Sequence, residues 1–66
     1  MRKLYSHQAK ASTFYIAEHE RQFHALLENW DLGGFQTSQL AVNSLIDRGF
    51  EPGIPDDITD WERVID

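Results

Sequence analysis

From Ser6 to Trp30 the chain runs without a proline, and any fold it adopts must accommodate that run. Within it, Ile16, His19, Phe23, Leu26, Leu27 and Trp30 recur at spacings of three and four. That pattern predicts one apolar stripe on a 3.6-residue helix, with Glu18, Arg21, Gln22, Glu28 and Asn29 on the solvated side. Ala9, Ala11, Ala17 and Ala25 add helix propensity. Ser6 is the expected N-cap, with Ser12 and Thr13 as alternatives, and Gly33-Gly34 supply the stop.

The rest of the chain reads as satellites of that helix. Residues 1–5 are expected to be a frayed lead-in, although Leu4 and Tyr5 could fold onto it. Thr37 or Ser38 is a natural N-cap for a second helix through Leu40, Ala41, Val42, Leu45 and Ile46 to Arg48. Gly49 then offers a left-handed residue, and Phe50 is placed to pack back on Leu45. Glu51-Pro52-Gly53 reads as a turn. Asp56 or Asp57 caps a short third helix in which Ile54, Ile58, Trp61 and Ile65 recur at spacings of three and four. The expected fold class is all-α: a helical hairpin forming one domain, 1–66, with 51–66 as an acidic C-terminal arm.

At 66 residues the chain is a small domain that buries only about 60% of its unfolded surface. With no cysteine, neither disulfides nor a thiolate metal site can reinforce it. Its 41% hydrophobic content is that of a folded domain. No apolar run approaches the roughly 18 residues of a membrane span, and no signal-peptide pattern opens the chain, so a cytoplasmic protein is expected.

The net charge of -5 is uneven: residues 1–17 carry Arg2, Lys3 and Lys10 without an acid, while 51–66 carry six acids against Arg63. An acidic chain without a basic stripe is poorly suited to phosphate neutralisation, which argues against nucleic acid. The segment Thr37–Phe50 does resemble a helix of a helix-turn-helix protein. It offers Gln39, Asn43 and Arg48 to a groove, diluted by Asp47. A small DNA-binding regulator is therefore the alternative reading.

Catalytic and metal-binding patterns are weak. His19-Glu20-Arg21-Gln22-Phe23-His24 has one residue too many for a zinc-protease motif, and on a helix its histidines are rotated by roughly 140° from one another. Glu20 and His24 are four apart, but two ligands do not close a site. Asp56, Asp57, Asp60 and Glu62 lack the spacing of a calcium loop. No serine sits in a strand-to-helix elbow, and Gly33-Gly34 has no phosphate-loop flanks. The expectation is a non-enzymatic protein with no catalytic residue, metal or cofactor.

The run Tyr15–Phe35 (YIAEHERQFHALLENWDLGGF), followed by Ser38–Glu62 (SQLAVNSLIDRGFEPGIPDDITDWE), resembles the small early regulatory proteins of lambdoid bacteriophages. Those are encoded between the exonuclease and excisionase genes. The resemblance implies a protein-interaction module in the bacterial cytoplasm. It would act on host proteins and influence the lysis–lysogeny choice or host replication, without a cofactor.

Helix lengths suggest where partners meet. A helix from Ser6 to Trp30 would extend roughly 36 Å, and one from Ser38 to Arg48 only about 17 Å. Phe14, Tyr15 and Ile16 would then lie beyond the short helix, as an apolar patch suited to a homodimer or to the C-terminal arm. Ile58 and Trp61 are expected either to dock that arm or to anchor a partner.

Overall fold

The computed structural model describes residues 1–64, and Ile65 of the expected C-terminal stripe lies outside them. The run from Ser6 to Trp30 is not a helix. It contributes to four antiparallel strands: β1 (Arg2–Gln8), β2 (Thr13–His19), β3 (Gln22–Leu27) and β4 (Trp30–Phe35). The helix α1 (Ser38–Arg48) follows, then a 3-10 turn at Ile58–Asp60 and a short strand β5 (Glu62–Arg63). The sheet order is β4-β3-β2-β1-β5. The all-α class and the helical hairpin are thereby overturned.

The reason lies in two tight turns. Glu20 and Arg21, both at positive φ (51° and 67°), reverse the chain between β2 and β3. Glu28 (φ 54°), followed by Asn29, does so between β3 and β4. Once the chain reverses there, the spacing of three and four is a coincidence of three strands, β2, β3 and the start of β4, read end to end. Period-2 alternation replaces it. Phe14 and Ile16 of β2 and Ala25 of β3 face the helix, while Tyr15, Ala17, His24 and Leu26 face away. Ala17 and Ala25, counted above as helix formers, are fully buried at the centre of the sheet, so tertiary pairing overrides their propensity.

Residues 2–5 belong to β1. An extra residue, Leu4, sits between the pairs Lys3↔Ala17 and Tyr5↔Ile16. This bulge keeps Tyr5 against the core while Lys3 lies on the open face.

The helix α1 keeps its expected bounds. Thr37 Oγ1 accepts from Leu40 N–H at 3.1 Å, and Gly49 (φ 67°) takes the left-handed cap with its N–H on the Ile46 carbonyl. Ala41, Val42 and Leu45 are fully buried, and the helix packs chiefly across β3 and β4. The C-terminal arm crosses the same face. Trp61 is 4% exposed, with its indole N–H donating to the Pro55 carbonyl at 3.0 Å. Gln39 of α1 holds the arm by donating to the Asp56 carbonyl (2.6 Å) and accepting from Ile58 N–H (3.0 Å).

Candidate functional site

Two local arrangements stand out, one on each face of the sheet. The first is a pocket of about 260 Å³ at the end of the core, lined by Ala11, Ser12, Phe14, Leu27, Phe50 and Glu51. The β1–β2 loop brings Ala11 and Ser12, and the left-handed Gly49 turns the chain so that Phe50 and Glu51 close the other side. The Phe50 ring lies 6.0 Å from that of Phe14 at a tilt of 45°, rather than wholly inside the core, and Phe50 stays 40% exposed. Glu51 Oε2 is itself closed off from solvent and has no hydrogen-bond partner among the described residues. Trp30, 68% exposed, pairs directly with Leu27 across β3 and β4. Trp30 is thus the strand partner of one lining residue without being part of the lining itself.

The second arrangement is on the face away from α1. His24 Nδ1 lies 3.1 Å from Asp31 Oδ1, and that same oxygen accepts Gly33 N–H at 2.9 Å. The Gly33 backbone bond holds the Asp31 carboxyl below the usual aspartate range, against the opposing effect of burial and with smaller help from the hydrogen bond and charge of His24. A carboxylate only accepts, so Nδ1 carries the proton of this bond and Nε2 points away from Asp31. Gly34 lies under this group. A Cβ there would meet Gln22 Oε1 at 2.5 Å and His24 Cε1 at 3.0 Å.

His19 joins the same face, its ring 6.2 Å from that of His24. A helix would have rotated these two histidines apart, whereas the hairpin sets them on one face. Among the described residues no group of three His, Cys, Asp or Glu is arranged to hold a metal ion. An oriented imidazole of this kind can accept a proton or a hydrogen bond, but no hydroxyl is hydrogen-bonded to it among the described residues. Neither the dyad nor the Glu51 pocket carries a recognisable sequence signal. Asp31 and His24 are neighbours only through strand pairing, and Glu51 is one acid among many.

The residues expected at an interface are distributed differently. Phe14 (1% exposed), Ile16 and Trp61 are core residues of the single chain, and Ile58 packs half-buried against them. Tyr15 is half-buried on the open face, with Lys3 Nζ 4.1 Å from its ring centre. The helix-groove residues are also engaged: Gln39 donates to Asn43 Oδ1 at 3.0 Å as well as holding the arm, and Arg48 donates to the Leu32 carbonyl. Among the described residues no helix is long and apolar enough to cross a membrane. No family model, curated protein or solved structure matches the chain.

Proposed function

We propose that this chain is a non-enzymatic protein-binding module of the cytoplasm whose contact surface is the pocket end of the molecule. The observation that carries this reading is the exposure of two aromatic side chains: Phe50 in the lining of an apolar pocket, and Trp30, the strand partner of its wall residue Leu27. Large aromatic side chains that gain burial on association dominate many interfaces. An interface built through Phe14 and Ile16 is not retained, because both already fill the core. The DNA-binding alternative is weakened by the engagement of Gln39, Asn43 and Arg48 within the fold. The narrower reading, a phage regulator of host proteins, rests on the resemblance of residues 15–62 alone.

The test uses the wild-type chain and a Trp30→Ser/Phe50→Ser variant as baits in bacterial lysate at near-physiological salt. Both are first shown by circular dichroism to hold the same fold. A specific partner should be retained by the wild type and lost from the variant. Equal retention by both, or no specific partner with either, overturns the reading.

A further inference from the structure

We propose that the C-terminal arm, residues 54–64, exchanges between two copies of this chain. Each arm then docks on the body of the other copy, in a homodimer that needs no other protein. The arm is joined to α1 by residues 49–53. Gly49 and Gly53 both hold positive φ (67° and 89°), and a Cβ at either would meet nothing within 4 Å. The link thus runs through open space, with a glycine at each end to absorb a change of direction.

The arm and its seat are each complete without the link. Gln39 donates to the Asp56 carbonyl and accepts Ile58 N–H, and the His7 ring lies 5.7 Å from that of Trp61. Along the β1 edge, Tyr5 pairs with Arg63, Ser6 pairs with Glu62, and the Leu4 carbonyl accepts Val64 N–H. The Trp61 indole bond to the Pro55 carbonyl lies within the arm and travels with it. The arm of a second copy makes every one of these contacts, so exchange conserves them.

Two features favour the second copy. Residues 1–17, which include the seat on β1, carry Arg2, Lys3 and Lys10 and no acid, whereas 51–66 carry six acids against Arg63. The arm of one chain is therefore drawn to the head of another. Phe50, inside the link, stays 40% exposed in the single chain. In the exchanged dimer the two straightened links run side by side across the twofold axis, where the two Phe50 rings gain a common contact. A short flexible link gives the chain's own arm an effective concentration on the order of millimolar, so the wild type exchanges near that concentration.

The test mixes isotope-labelled and unlabelled full chain at millimolar concentration, opens the arm with mild urea and then removes the urea. Isotope-filtered NMR should show contacts from Val64 to Leu4 and from Trp61 to His7 between different chains, in a species that light scattering sizes as a dimer. Deleting Pro52 and Gly53 shortens the link by up to ~7 Å, which denies the arm its own seat. That variant should be dimeric at concentrations about a hundredfold lower than the wild type requires. A wild type that stays monomeric at millimolar concentration, or a dimer whose arm contacts all lie within one chain, overturns the proposal. So does a deletion variant that folds and stays monomeric. The wild-type labelling decides alone if that variant fails to fold.

Discussion

Arg48, the last residue of α1, donates to the main-chain carbonyl of Leu32 on the outermost strand at 3.0 Å. On the same stretch Asp31 accepts Gly33 N–H, and the pairs Leu26↔Asp31 and His24↔Gly34 leave an extra residue on β4. A free edge invites another strand, and bulges with occupied backbone groups blunt it. Arg48→Ala should therefore cost about 1 kcal/mol and raise self-association, read by light scattering across a concentration series. A variant as monodisperse as the parent would show that the bulge protects the edge without Arg48.

The β2–β3 turn should be improvable. Non-glycine residues in the left-handed region cost roughly 1–2 kcal/mol each, and Asn-Gly is the favoured pair for such hairpins. Replacing Glu20-Arg21 by Asn-Gly should raise stability by about 1–2 kcal/mol. Glu28→Gly should not give this gain, although Glu28 is equally left-handed. Its carboxylate accepts Thr13 N–H at 2.8 Å, and the substitution removes that bond. Urea midpoints compare the two, and equal gains would refute the distinction.

Trp61→Ala should cost about 3–5 kcal/mol, as for other aromatic truncations in cores. That is a large part of the roughly 3–10 kcal/mol available to a chain of this size. Trp61→Phe should cost less, since it keeps most of the packing beside His7 and loses the bond to Pro55. Thermal melts that place Trp61→Ala within a degree or two of the parent would mean the arm contributes little.

Acid should weaken the fold through Asp31. Its folded-state pKa is lowered, first by Gly33 N–H and then by His24, below the usual aspartate value of about 3.9. The stabilisation is thus complete above that value and is lost as pH falls through the lower folded-state pKa. Asp57, lowered mainly by the Thr59 backbone and then by its hydroxyl, acts in the same direction. Urea unfolding of the parent and Asp31→Asn from about pH 6 to about pH 2 should show their stability gap closing at the acid end. A constant gap would contradict the assignment.

What the sequence displays and what it hides follow from the range of the interactions. The helix from Ser38 to Arg48 is set by neighbours: a threonine cap at one end, a left-handed glycine at the other, and Ala41, Val42 and Leu45 between. The Asp57 cap of the 3-10 turn is local as well. The meander is set by pairing between strands, and its turns use Glu-Arg and Glu-Asn where glycine would have advertised a hairpin. Without such a signal, Ile16 and Phe23 share a stripe in the sequence that the folded chain does not have. The candidate pocket was hidden for the same reason, since Leu27 and Phe50 meet only after folding.

The pairing of β5 with β1 sets an order of assembly. Every other strand neighbour in the sheet is also a neighbour in sequence, so those closures span short loops. Joining Tyr5 to Arg63, Ser6 to Glu62, and Val64 N–H to the Leu4 carbonyl instead closes a loop of nearly the whole chain. Such a contact gains most once the meander already exists. The arm is then the last part to dock and the first to open, a sub-global unit with its own free energy. Under native conditions the Val64 amide should exchange with solvent faster than that of Ile16. Release of Trp61 would also uncover one flank of the hydrophobic core while the meander stays intact.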